Sequence, residues 1–223
     1  IQSYQLSVRG GNKNVKYLIS GSYFDQEGLA INTGFNRFNL SAVVDVNITD
    51  KWKMGIALRP SYSQSYGASV DGKDNLAHKM LSMVPIAEVG AGLYTNFWKN
   101  TRYRWAGSTQ SPIGVMENTT NNTNEFRLLS SLYMSYDILP ELNFKISGGA
   151  TNNFNINNGY TPTFDLITNI PGQVSIASRR TVNYNRYLGE ALLNYKKTFG
   201  DHSITALAGT SAETYRTTSQ YNR

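Results

Sequence analysis

The residues able to do acid–base or metal chemistry are few in this 223-residue chain: two histidines, His78 and His202, and no cysteine. Neither histidine has a partner at metal-ligand spacing. The lack of cysteine excludes a zinc–thiolate site, a disulfide framework and a thiol nucleophile together. The segment Asp71-Gly-Lys-Asp74 resembles calcium-loop chemistry, but two carboxylates fall short of the roughly 6–8 oxygen ligands calcium takes. Asp25 and Glu27 are carboxylate neighbours at the end of a strand, where a turn-stabilising role is expected. No Ser-His-Asp order with a nucleophile elbow occurs, and no glycine loop suited to cradling phosphate. The expectation is a protein that is not an enzyme and carries no cofactor or metal.

Binding chemistry is better represented. Tyr94, Phe97, Trp98, Tyr103 and Trp105 cluster beside Lys99, Arg102 and Arg104. Large rigid rings stack on sugars or anchor a partner surface at low entropic cost. The same rings could instead form a small core that orders a long loop. Leu76, Met80 and Met83 fall at helical spacing, with Asp74 as a candidate cap and Pro85 as the stop. This helix either packs the loop onto the body of the protein or meets a partner or substrate.

Charge argues against nucleic acid as a partner. The net charge is +6, yet only 16% of residues are charged, against about 25% in an ordinary domain. Nucleic-acid binding needs basic residues gathered in a patch. The densest group here, Arg179, Arg180 and Arg186 with Lys196 and Lys197, is loose.

The elements that position these residues announce themselves by strict alternation. Phe38, Leu40, Ala42, Val44, Val46 and Ile48 share one face, while Asn39, Ser41, Val43, Asp45 and Asn47 share the other. A period of two is the mark of a strand with one apolar and one polar face. The pattern recurs in Trp52–Leu58, in Phe126–Ile138 with Ser130 as its polar interruption, and in Leu142–Ala150. It predicts eight strands, near 1–9, 15–24, 36–48, 52–65, 125–138, 142–154, 183–196 and 202–216.

Connections alternate too. Tight turns at Gly10–Asn14, Thr49–Lys51, Leu139–Glu141 and Lys197–Asp201 separate loops of about ten, sixty and thirty residues, the arrangement of outer-membrane barrels with short periplasmic turns and long extracellular loops. The Asn-rich runs Asn118–Asn124 and Asn152–Gly159 are expected in those hydrophilic loops. Most runs reach the roughly 9–11 residues that a tilted strand needs to span a bilayer. Aromatics stand near both ends: Trp52, Tyr136, Phe144, Tyr195 and Phe199 by the short turns, and Tyr23, Phe38, Phe126 and Tyr187 by the long loops. Such belts anchor a barrel at the two interfaces.

Two patches resemble one family. Ser22-Tyr-Phe-Asp-Gln-Glu-Gly28, with Thr33-Gly-Phe35, Arg37 and Asn39, is similar to a segment of the SusC/RagA family. So is Tyr195-Lys-Lys-Thr-Phe-Gly-Asp-His202 followed by Ile204-Thr-Ala-Leu-Ala-Gly-Thr-Ser211. These are TonB-linked, TonB-dependent outer-membrane transporters of Bacteroidetes. The resemblance spans essentially the whole chain; Glu213 departs from it, standing where Gln is more common.

The resemblance implies an all-β fold: an antiparallel transmembrane β-barrel segment, residues 1–223, supplying about eight of some 22 strands with long extracellular loops. No plug, signal peptide or TonB-contact segment is recognisable. It also implies import of an oligosaccharide or peptide, a SusD-like surface lipoprotein as lid, TonB acting through regions missing from this chain, and a place in the bacterial outer membrane in contact with lipid. Tyr94, Phe97, Trp98, Tyr103 and Trp105 would contact ligand or partner. Two other readings remain: a self-contained eight-stranded outer-membrane barrel with a structural or adhesive role, and a secreted glycan-binding β-sandwich.

Overall fold

A computed structural model describes residues 1–67, 80–81, 112–162 and 175–223. Eight strands form one antiparallel sheet in sequence order: β1 (Gln2–Gly11), β2 (Val15–Glu27), β3 (Gly34–Asn47), β4 (Trp52–Tyr66), β5 (Thr120–Leu139), β6 (Leu142–Thr161), β7 (Ile176–Phe199) and β8 (His202–Asn222). A short helix, α1 (Pro112–Asn118), precedes β5.

Local chemistry explains the tight turns. Asn12 Oδ1 accepts from the backbone N–H groups of Asn14 and Val15 at 2.8 and 2.9 Å, closing the β1–β2 turn. Thr49 Oγ1 does the same for Lys51 and Trp52 in the β3–β4 turn. Such side-chain acceptors mimic a backbone turn. Gly200, at φ +58°, takes the left-handed conformation that opens the β7–β8 turn at little steric cost.

The register carries the alternation intact across the sheet. Directly paired residues share a face, and one face is apolar in row after row. Tyr17, Val44, Ile56 and Leu132 are successive partners across β2–β5, and Val15, Val46, Met54, Met134, Ile146 and Ala191 across β2–β7. No described residue covers this face. Among the described residues only Ala57 and Met116 are buried hydrophobics, whereas Leu6, Ile56, Leu132 and Ile146 are all exposed. A water-soluble domain buries such a face; here the solvent for it is lipid.

Two aromatic girdles bound the apolar band. The outer one is continuous over six strands: Tyr4, Tyr23, Phe38, Tyr62, Phe126 and Phe154 are each the direct register partner of the next. The inner one runs through Trp52, Tyr136 and Phe144, with the Trp52 and Tyr136 rings 4.7 Å apart. On β4, β5 and β6 the girdles stand ten residues apart, Trp52 to Tyr62, Phe126 to Tyr136 and Phe144 to Phe154. Ten residues give about 33 Å of strand, which at a tilt near 40° becomes about 25 Å, the height of a barrel's apolar band. Tyr187 lies inside this band, opposite Ala150 and two rows below Phe154, so it is not part of the outer girdle as its sequence position suggested.

The strands β5 to β8 run past the outer girdle. The Asn-rich runs, expected as loops, lie instead in these strands: Thr120–Asn124 in β5 beyond the girdle, and Asn152–Gly159 in β6, which crosses it at Phe154. Asparagine is a poor strand former in isolation, and cross-strand amides supply the compensation. Asn157 Nδ2 donates to Asn121 Oδ1 and Thr123 Oγ1 at 2.7 and 2.8 Å, and Asn152 Nδ2 donates to Asn185 Oδ1 at 2.7 Å. A short-range pattern does not show these bonds.

Candidate functional site: the polar wall

The face opposite the apolar band is a wall of charged, hydroxyl and amide side chains. Near the short turns, Lys16, Asp45, Gly55, Tyr133, Ser147 and Glu190 are successive register partners from β2 to β7. Tyr133 Oη donates to Asp45 Oδ1 at 2.8 Å, passing over Gly55. Lys145 Nζ sits 4.9 Å from the centre of the Tyr133 ring, and Ser147 Oγ donates to Glu190 Oε2 at 3.2 Å. One row outward the wall is small: Ala57, Ser131 and Gly149 are neighbours across β4–β6.

Arginines dominate the next rows. Arg127 Nη2 meets Glu125 Oε1 at 2.8 Å, and the same oxygen accepts from Asn153 Nδ2 at 2.8 Å. Arg186 binds Glu213 through two nitrogens, Nε to Oε1 at 2.7 Å and Nη2 to Oε2 at 3.0 Å. This pair gives the departure at Glu213 a local reason: a carboxylate there accepts both arms of an arginine fork. Arg37 and Arg59 have no hydrogen-bond or ion-pair partner among the described residues. Both line a recess of about 450 Å³ with Asn39, Ser61, Ser63 and the Glu125–Arg127 pair.

At the outer end of β2 and β3 the chain is held by backbone and small polar groups. Gly28 N–H donates to Thr33 O at 2.8 Å, Thr33 Oγ1 to Ala30 O at 2.7 Å, and Asn32, at φ +56°, donates to Met116 O of α1 at 3.4 Å. Asp25 and Glu27 make no side-chain bond among the described residues; the turn-stabilising role expected of them belongs to Thr33 and Asn32.

Of the residues singled out in the sequence, Tyr94, Phe97, Trp98, Tyr103 and Trp105 lie outside the described residues, as do His78, Asp71 and Asp74. Met80 and Leu81 are helical, and the remainder of the helix anticipated over 74–83 also lies outside. His202 sits at the β7–β8 turn, opposite Phe199. Among the described residues no three His, Asp or Glu side chains gather as a metal site. The sequence reading missed the arginine row. Its signal was present, because Arg37, Arg59 and Arg127 all occupy polar-face positions in their strands, but they are far apart in sequence and only pairing joins them.

Comparison with known proteins agrees with this geometry. The chain is 27% identical over 218 residues to TonB-dependent receptor P3 of Formosa agariphila, covering 95% of this chain and 21% of the receptor. It is 28% identical over 214 residues to TonB-dependent receptor P26 of the same organism, again with 95% and 21% covered. The chain is similar to TonB-dependent receptors along nearly its whole length. The match to Formosa receptors bears out the resemblance to TonB-linked transporters read from Ser22–Asn39 and Tyr195–Ser211, and it places the chain in the outer membrane. No family model matches.

Solved TonB-dependent receptor structures share the fold. The RagAB peptide transporter superposes with a TM-score of 0.68 at 16% identity, over 99% of this chain and 25% of that one. BauA, the ferric preacinetobactin receptor of Acinetobacter baumannii, gives 0.60 at 13% identity, over 99% and 29%. The chain thus spans about a fifth of the length of the curated receptors it matches. The charged wall and the girdled face lie on opposite sides of the sheet, as a lumenal and a lipid-facing side of a barrel require.

Proposed function

We propose that this chain supplies eight strands of a larger TonB-dependent transporter barrel, of about 22 strands, that imports an oligosaccharide or a peptide. The observation that carries this reading is the open sheet. Its order runs from β1 to β8 with no β1–β8 pairing, although β1 carries the outer girdle and β8 continues the same lipid-facing sheet. Unpaired backbone groups in hydrocarbon cost several kcal/mol each, so further strands must satisfy both edges. That requirement weighs against a self-contained eight-stranded barrel, and a single uncovered sheet weighs against a sandwich.

Transport in this reading is binding and gated passage driven through TonB, with no covalent chemistry on the chain. A SusD-like surface lipoprotein closes the outer end, meeting residues 67–119 and 163–174 and the extensions of β5–β8 beyond the outer girdle. Tyr94, Phe97, Trp98, Tyr103 and Trp105 are the proposed contacts to lid or cargo.

The test is to isolate outer membranes from the source cells and measure the intact mass of the species containing this sequence. Because 218 matched residues are 21% of a receptor, a membrane species on the order of 100 kDa is expected. It should co-purify with a lipoprotein, and uptake of labelled oligosaccharides or peptides should stop when TonB is deleted. A soluble species, or a self-standing one of 24.9 kDa, overturns the reading.

A further inference from the structure

We infer that Arg37 and Arg59, on the lumenal wall of β3 and β4, form a binding site for an oxyanion group, carboxylate or sulfate ester, carried by the transported solute. The inference rests on the import reading for its cargo, but the site itself is a property of this wall.

Charge balance singles out the two residues. Four arginines project from the polar face of β3, β4, β5 and β7 in adjoining rows: Arg37, Arg59, Arg127 and Arg186. Two are neutralised at hydrogen-bond distance, Arg127 by Glu125 at 2.8 Å and Arg186 by Glu213 at 2.7 Å. The other two have no partner among the described residues, so within the described wall these two positive charges are uncompensated.

Register places the pair around one recess. Arg37 is opposite Ser63, and Asn39 is opposite Ser61 in the next row; Arg59 lies one row further, opposite Leu129. Four residues of strand, about 13 Å, thus separate the two Cα positions, and both side chains line the same recess. Ser61 and Ser63 add hydroxyl donors, and the Asn39 amide is fixed by donating to Ser22 Oγ at 3.0 Å. Guanidinium forks match the two-oxygen edge of a carboxylate or sulfate and are weakly hydrated, so they hold such groups by paired hydrogen bonds. Glu125 also lines the recess, but Arg127 neutralises it at 2.8 Å, so the lining carries a net positive charge, and such a surface concentrates counter-ions before contact.

Arginine footprinting on the intact receptor, purified in detergent, tests the site without requiring transport. Phenylglyoxal should modify Arg37 and Arg59 several-fold faster than Arg127 and Arg186, read by peptide mass spectrometry. Sodium sulfate should slow modification at Arg37 and Arg59, while sodium chloride at matched ionic strength should not. Equal effects of the two salts, or protection of all four arginines alike, overturn the proposal. A chondroitin sulfate disaccharide and tetra-aspartate then distinguish glycan from peptide as the source. The one protecting at lower concentration than inorganic sulfate names it, and failure of both to surpass sulfate overturns the assignment to a solute. Footprint protection with no TonB-dependent uptake would fault the import reading and leave the site standing; uptake without protection would do the reverse.

Discussion

Tyr133 of β5 donates its hydroxyl to Asp45 of β3 at 2.8 Å, reaching across the whole width of β4. The bridge is possible because β4 carries Gly55 at the crossing point. A Cβ there would overlap both the Tyr133 ring and the Asp45 carboxylate. Three strands are thus clamped by one side chain lying over a glycine, with Lys145 Nζ 4.9 Å from the ring centre.

Substitution at this crossing should show coupling. Tyr133→Phe loses a hydrogen bond to a charged acceptor, worth about 1.5–3 kcal/mol. Gly55→Ala should cost at least as much by displacing the ring. Tyr133→Ala removes the ring as well, and in the double variant Gly55→Ala, Tyr133→Ala the methyl no longer meets a ring, so the combined loss should fall below the sum of the Gly55→Ala and Tyr133→Ala losses. Urea unfolding of the intact barrel in detergent, read as loss of its heat-modifiable band, measures each variant. Strict additivity would refute the bridge.

The two faces should respond oppositely to charge. Leu132 lies between the girdles on the lipid side, and Ser131 beside it faces the lumen. Leu132→Arg should destabilise the folded barrel by about 2–4 kcal/mol, the cost of a cation at the bilayer midplane, whereas Ser131→Arg should cost far less. Folding yields into lipid vesicles compare the two; equal penalties would mean the faces are misassigned.

The outer extensions should be ordered by their amides. Asn157→Ala removes the bonds to Asn121 and Thr123, each worth about 1 kcal/mol. Hydrogen exchange at residues 120–124 and 156–160 should quicken, while exchange between the girdles stays slow. If those segments already exchange as fast as free peptide in the unaltered protein, they are loops after all.

Girdle depth can be read directly. Trp52 sits at the inner interface beside Tyr136, so in vesicles its fluorescence should be quenched more by lipids brominated near the headgroup than near the chain ends. Subtracting the signal of the Trp52→Phe variant of the intact receptor isolates the contribution of Trp52 from that of every other tryptophan. Stronger quenching from the bilayer centre would displace the band derived from the ten-residue spacing.

The sequence by itself determined the strand count, the order of short and long connections and the division of each strand into two faces. Those follow from period-two side-chain geometry and from turn residues such as Asn12, Thr49 and Gly200, which act within a few positions along the chain. Strand ends beyond the outer girdle were not legible, because Asn121 and Asn157 favour a strand only once they face each other. Nor was the site. Arg37, Arg59 and Arg127 each read as one polar residue in an alternating run, as did Glu125 and Glu213. Pairing of β3 with β4, β4 with β5 and β7 with β8 decided which arginines meet a carboxylate and which stand free. Charge compensation acts over a few ångströms in space, and only register sets those distances.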